Sequence, residues 1–482
     1  MERKVYLLDP KELTPEQIAV AFAKTSRRPE GFREIVAGIT EAGAADFSEK
    51  WIVGYGHASV AEHAVLHVAV ENVSRLAADA VVGARLASFT EKSTRFQVLE
   101  RDYIYTPVTI ASSDLAHEYT EIHDVLYQVY ARALQAVGRL VEIEHPRRGD
   151  EKEGVYKARV GKTTVDLCRF IIPASALSNF GMTINARETE WMVTKMLSHR
   201  LKEVRSLGQD VKLVAVAETP TLVKYADRND YLVERETKMT KLRSEKRFDG
   251  RMWPTVELVD HTPDAELKVI AGLLYQVSGG TSYKECYQDA ILMTEGQRID
   301  LLDSVYGGMG LHDRFLREME LGDVIFDTLI DWADYRDFWR NRQQTNLPQI
   351  MDGSYGVAVP KKVDDVGLGE DVRKVFKEAF DLADLMKTKF GEDEYLYVYP
   401  GGTMRRLLMK MNLRQFFEAF YPTRSNVNTN PGYQFLALQM GEIVSKLYPS
   451  LWKFISSRIQ RPTSQEVAAG FYGGEYGNSG TG

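Results

Sequence analysis

The densest group of chemically useful side chains is Arg85-Leu-Ala-Ser88-Phe-Thr90-Glu91-Lys-Ser93-Thr-Arg95. It stands where an amphipathic helical pattern gives way to irregular chain, so its side chains can converge on a ligand. Arginine's planar fork matches phosphate oxygens, and the hydroxyls and carboxylate can hold sugar hydroxyls or the edge of a base. The pattern therefore suits a phosphorylated, hydrogen-bonding ligand, although a polar turn with surface ion pairs has the same composition. Ser93 has no histidine near it in sequence to activate it as a nucleophile.

Elements on either side must position this segment. Residues 4–8 read as a strand, 15–25 as a helix capped by Thr14, 64–70 as a strand and 74–86 as a helix. Residues 147–162 read as a loop or hairpin, 177–201 as one long helix and 211–217 as a strand. A dense charge mixture between Asp227 and Pro263 marks a connection. Strand 324–330, helix 334–342, a broken region over 347–356 and helix 371–390 follow. Residues 395–399 lead to Pro400, and a further long helix is expected over 403–420. The boundaries are a first domain 1–230, a charged linker 231–262, a second domain 263–460 and a flexible tail 461–482 that is glycine-rich from Gly470 onward.

The second half repeats the first. Pro173 is followed twelve positions later by Asn185-Ala186-Arg187, and Pro400 twelve positions later by Asn412-Leu413-Arg414. Gly83-Ala84-Arg85 matches Arg340-Asn341-Arg342. Two matches in the same order point to duplication.

Composition narrows the function classes. The 482 residues carry 61 Lys and Arg against 68 Asp and Glu, a net charge of −7, so no global basic field draws the chain to nucleic acid or anionic lipid. Two cysteines, Cys168 and Cys286, in no metal-type spacing read as cytosolic thiols. The N-terminus has no apolar signal core, and no stretch approaches the ~20 apolar residues that span a bilayer. Glu62-His63 with His67 is not a zinc motif, and Gly307-Gly308-Met309-Gly310 does not link a strand to a helix as a dinucleotide fingerprint must. No metal is expected. The stripe Met404, Leu407, Leu408, Met411 reads as core.

The motifs together resemble the flavin-dependent thymidylate synthases. Gly83-Ala84-Arg85, seven residues and then Ser93, within Thr90-Glu91-Lys92-Ser93-Thr94-Arg95, is similar to that family's Arg-His-Arg block. Gly56-His57-Ala-Ser59-Val-Ala-Glu62-His63 looks like its His-x-Ser/Thr-x-x-Glu-His segment, and Arg169-Phe-Ile-Ile-Pro173 like its Arg-x-x-Leu-Pro. Asn185-Ala186-Arg187 follows at the family's spacing. The resemblance covers most of residues 20–215 and, more weakly, 265–455. It departs where Gly83 and Ala84 replace the first arginine and the histidine. The second half keeps Arg340 and Arg342 but lacks the Ser/Glu/Ser/Arg block, and Leu396 stands where Arg169 stands in the first. Met196 replaces a second substrate arginine, to which Arg424 lies close in the second half.

The resemblance implies an α+β fold of two tandem domains, each a small, mainly antiparallel sheet flanked by long helices. It implies methyl transfer to deoxyuridylate, with methylenetetrahydrofolate giving the carbon, reduced FAD the hydride, and NADPH reducing the flavin. Glu91, Ser93, Arg95, Ser88 and Arg424 would bind substrate, and Arg169 would sit on the uracil as the catalytic cation. His57, Arg85, Asn185, Arg187, Arg340 and Arg342 would hold the cofactors. Because each half lacks groups the other retains, a composite site between the halves is expected, in a homodimer equivalent to the family's tetramer. The alternatives are flavin-dependent modification of another pyrimidine nucleotide and a catalytically silent nucleotide-binding protein.

Overall fold

The computed structural model describes residues 3–53, 58–242, 253–391 and 393–473, apart from the side chains of 51–53. Among the described residues the strands are β1 (Val65–Ser74), β2 (Ala87–Glu91), β3 (Leu177–Asn185), β4 (Thr255–His261), β5 (Asp323–Asp331), β6 (Thr345–Pro348) and β7 (Met404–Asn412). The helices that bear on the site are α1 (Pro15–Thr25), α2 (Arg75–Val81), α3 (Ala116–Glu144), α4 (Glu153–Cys168) and α5 (Ala186–Leu197). They continue with α6 (Lys202–Glu218), α7 (Ala265–Val277), α8 (Trp332–Trp339), α9 (Gly369–Phe390) and α10 (Pro431–Leu447).

Two antiparallel sheets result, ordered β1-β3-β2 and β4-β5-β7-β6. Their central strands correspond residue for residue: Val65 pairs with Asn185 in the first sheet, and Asp323 with Asn412 in the second. The mixed α+β fold with small antiparallel sheets follows the expectation.

Several local expectations are corrected. Residues 177–201 form strand β3 and then helix α5, because Phe180, Met182 and Ile184 alternate into the core before Asn185 caps the helix. The Asn185 side chain accepts the Glu188 N–H at 2.9 Å. The same happens over 403–420, where β7 ends at Asn412, whose side chain accepts the Gln415 N–H at 2.8 Å. The repeated asparagine is thus a helix cap in both halves. Residues 211–217 lie in helix α6, which buries Val204, Leu207, Val211 and Ala215 at helical spacing. Residues 147–162 run largely into α4, and residues 4–8 form no strand.

Within the charged stretch 231–262, most of the helix Asp230–Lys241 and strand β4 are present, and residues 243–252 lie outside the described residues. The tail begins with the helix Ser464–Tyr472, and its glycine-rich end, 474–482, also lies outside them.

The halves share one hydrophobic core. They meet through corresponding residues: Pro173 bridges Pro400, the Ala174 N–H donates to Tyr399 O at 2.9 Å, and the Gly401 N–H donates to Ile172 O at 2.9 Å. Such reciprocity is the signature of an isologous, two-fold contact.

Candidate functional site

Helices α2 and α8 follow corresponding strands and face one another across this seam. Ser74 caps α2 by accepting the Ala77 N–H, and Asp331 caps α8 by accepting the Asp334 N–H at 2.8 Å. The Arg75 guanidinium carbon lies 4.9 Å from the Trp332 ring centroid, and Arg336 Nε lies 4.0 Å from Asp79 Oδ1. Arg75 is fully buried, its Nε and Nη1 have no hydrogen-bond partner, and burial pulls it down to about 9, with Arg336 adding to the shift.

From this seam the Arg85–Arg95 segment reaches the second half. Arg95 grips Asp166 of α4 with Nε at 3.0 Å to both carboxylate oxygens and Nη2 at 2.8 Å to Oδ2. Its Nη1 donates to the Tyr433 hydroxyl at 3.0 Å and its Nη2 to Asn428 O at 3.2 Å. Asn430 completes the arrangement by donating to Asp166 Oδ1 at 2.9 Å. Ser93 Oγ accepts the Arg95 N–H at 3.2 Å. Glu91 is held by Arg336 and accepts from Ser178 Oγ at 3.1 Å.

Arg169 stands beside this group, 3 % exposed. It donates to Asp334 and, at 3.0 Å, to Asp337 Oδ2, and its Nε lies 3.5 Å from Asp166. Burial opposes its charge, but Asp337, Asp334 and Asp166 together hold its pKa well above the ordinary value. Burial raises Asp334 strongly, reinforced by Asp331, whose own carboxyl burial also raises. Burial also opposes ionisation of Asp337, yet Arg169, Arg340, Arg424 and Arg95 hold it below the ordinary value. Arg424 is lowered by burial against the pull of Asp337, and its Nε has no hydrogen-bond partner. Of the three guanidiniums expected to receive a nucleotide, Arg95 and Arg169 are therefore already paired with the chain's own carboxylates.

A second group lies at the surface of the seam. Arg85 Nη2 donates to Gln344 O at 3.4 Å and Thr345 Oγ1 at 3.3 Å, while Arg342 Nη1 donates to Arg85 O at 3.2 Å. Arg340, half exposed, lies 3.9 Å from Glu91 Oε2. Ser88 is exposed on β2. Arg187 is drawn elsewhere, onto Glu62 at 2.5 Å, and Met196 is buried core. His57 lies outside the described residues. Among the described residues no group of three or more His, Cys, Asp and Glu could hold a metal ion, and no helix is long and apolar enough to cross a membrane.

Sequence reasoning missed Asp166, Asp334, Asp337, Arg336 and Tyr433. The only signal in the chain was the run Asp331-Trp332-Ala-Asp334-Tyr-Arg336-Asp337, too charged for a surface helix that also carries Trp332, Tyr335 and Phe338.

Over residues 8–221 and 332–450, more than half its length, the chain matches the family described as thymidylate synthase complementing protein. It belongs to that family. A UPF0159 protein of Chlamydia pneumoniae is 26 % identical over 440 residues, covering 86 % of this chain and 81 % of its own. A UPF0159 protein of Thermoplasma acidophilum is 23 % identical over 84 % of this chain and 87 % of its own. A flavin-dependent thymidylate synthase of Clostridium tetani is 23 % identical over 44 % of this chain and 82 % of its own. Among solved structures, a UMP/dUMP methylase from Streptomyces cacaoi bound with 5-bromo-dUMP is 18 % identical, covering 43 % of this chain and 96 % of its own with a TM-score of 0.33.

Proposed function

We propose that the chain is a fused pair of the family's domains that binds a flavin nucleotide at the seam between them, through Arg85, Arg340 and Arg342. The observation that carries this reading is that Arg85 and Arg342, corresponding arginines of the two halves, meet there while bonded only to neutral acceptors. Their donor set fits a diphosphate: planar forks with bonds left to give, half in water, where phosphate oxygens can reach them. Titration with FAD, followed by the flavin absorbance, tests it. Each of Arg85→Ala and Arg342→Ala should weaken binding about tenfold, the scale of one lost charge-assisted contact. Absence of flavin binding by the wild-type protein sinks the proposal.

A second reading, methyl transfer to deoxyuridylate, is favoured by the convergence of Glu91, Ser93, Arg95, Arg169 and Arg424. The chemistry a bound, reduced flavin supplies is hydride transfer, with methylenetetrahydrofolate as carbon donor and NADPH as reductant. Arg95 would have to leave Asp166 for the nucleotide phosphate, and Arg169 would have to leave Asp334 for the uracil. Once free, a fixed cation there stabilises charge developing on the base. Tritium release from deoxyuridylate labelled at carbon 5 measures this reaction. If flavin binds but no tritium is released, the chain is a nucleotide-binding protein whose substrate arginines have become structural. The same seam would be presented twice by a homodimer.

A further inference from the structure

Among the described residues, the second sheet has a strand that the first lacks. β4 runs antiparallel along the outer edge of β5 and packs on α10. In the first half the corresponding edge, that of β1, pairs with no strand among the described residues. A groove of about 370 Å³ lies there instead. Its floor is the consecutive run 68–73 of β1, so it follows the backbone edge rather than one face, and Leu207, Val211 and Val214 of α6 form its wall.

The surroundings of the two edges correspond. Helices α6 and α10 end on residues of nearly the same conformation, Thr219 at φ −137° and ψ 64° and Tyr448 at φ −135° and ψ 63°. Beyond each end, two N–H groups donate to one glutamate. Thr221 and Leu222 bind Glu16 of α1 at 2.9 and 3.2 Å, and Ser450 and Leu451 bind Glu266 of α7 at 2.8 and 3.4 Å. The chain before α7 is Val256-Glu257-Leu258-Val259-Asp260, and the chain before α1 is Val5-Tyr6-Leu7-Leu8-Asp9. Val256 and Leu258 pack against the core, whereas Val5 and Leu7 are 89 % and 94 % exposed, with Tyr6 under the Arg33 guanidinium.

We propose that the groove between β1 and α6 is a strand-acceptor site and that its occupant is residues 4–9 of the same chain. Exposed apolar side chains such as Val5 and Leu7 and an unpaired sheet edge each leave free energy unrealised in water, and docking satisfies both. The register follows from β4, where Val256 lies opposite Thr328 and Leu258 opposite Phe326. Thr328 and Phe326 pair with Leu407 and Met409 as Val70 and Val68 pair with Phe180 and Met182. Val5 therefore lies opposite Val70, and Leu7 opposite Val68. The bulge at Glu71 and Asn72, with Asn72 at φ 56°, ends the pairing beyond Val70. Residues 10–14 make a connection no shorter than the one residues 262–264 make in the second half.

The full-length variant Leu7→Cys with Val68→Cys tests the site, since both native cysteines are buried. On mild oxidation a disulfide within one chain is expected, and the out-of-register pair Tyr6→Cys with Val68→Cys should give none. A disulfide joining two chains would assign the groove to a second copy's arm and overturn the proposal, as would no cross-link in either pair. Hydrogen exchange provides a check that needs no new cysteine. Protection of the β1 edge amides in the wild-type protein should be lost in Leu7→Asp, and unchanged exchange overturns the docking.

Discussion

Arg75 and Trp332 occupy corresponding positions at the start of α2 and α8, and they stack on each other across the seam. One turn further on, the corresponding residues Asp79 and Arg336 face each other in the same way. In a symmetric pair of identical chains each of these positions would meet its own copy, arginine on arginine and aspartate on aspartate. A fused chain lets the two copies differ, so like charges become a cation–π contact and an ion pair. Replacing Trp332 by Arg should therefore destabilise the chain by several kcal/mol, since it leaves two buried, unpaired guanidiniums. Arg75→Met, which removes the unsatisfied donors and keeps most of the volume, should be neutral or stabilising by about 1–4 kcal/mol. Urea denaturation of both variants measures these differences, and a strongly destabilised Arg75→Met would show that the stacking outweighs the desolvation.

The ion-pair cluster around Arg169 predicts an asymmetry. Arg169→Met leaves Asp334 and Asp337 buried without their main cation and should cost about 3–5 kcal/mol. Asp337→Asn, in the company of Arg424, Arg340 and Arg95, should cost a similar amount at neutral pH. Because Asp337 is held below its ordinary value, the stability it contributes is present at neutral pH and is lost as pH falls through that lowered value. The gap between Asp337→Asn and wild type should therefore close in acid. A gap that persists unchanged to low pH would mean the carboxylate charge is not what the site uses.

Asp331 and Asp334 give the opposite sign. Their folded values are raised, so the stability linked to their protonated forms is full below the unfolded value of about 3.9 and is lost as pH rises through the raised one. Asp331→Asn keeps the oxygen that accepts the Asp334 N–H and removes one of the two charges. It should melt higher than wild type near neutral pH and converge with it in acid. Melting curves that run parallel across the range would show that the two carboxyls do not interact.

Gly83 stands where the resembling family has the first arginine of its Arg-His-Arg block. A Cβ at this position would lie 2.4 Å from Trp339 Cζ2, inside any possible contact. Gly83→Arg should therefore destabilise the chain by about 1–3 kcal/mol or more, by overpacking, without restoring a flavin contact. The double variant Gly83→Arg with Trp339→Ala should recover part of the loss. Thermal melts with FAD titration distinguish a steric cause from an electrostatic one.

The sequence by itself determined the local units whose signals are short-range. Thr14 and Gln17 form the capping box that opens α1, and the helix of 15–25 stands where the pattern puts it. The repeated Pro and Asn-x-Arg spacing determined that two similar halves exist, and the types at Arg85, Arg95, Arg169 and Arg342 determined that anions matter. Strand β3 and helix α5 look like one helix in the sequence because no glycine or proline stands at their junction, Asn185–Ala186. A capping asparagine makes the change, and only pairing with β1 and β2 selects the extended form.

Apart from the contact of Arg169 with Asp166, three positions away, the anions that Arg95 and Arg169 meet were decided by the tertiary structure. Asp166 stands far along the chain from Arg95, and Asp334 and Asp337 stand in the other half from Arg169. Ion pairing in a buried site depends on distance and desolvation in space, neither of which is written in residue order. The open edge of β1 is likewise invisible in the sequence. It shows only in space, where β4 covers the edge of β5 and no strand among the described residues pairs with the corresponding edge of β1.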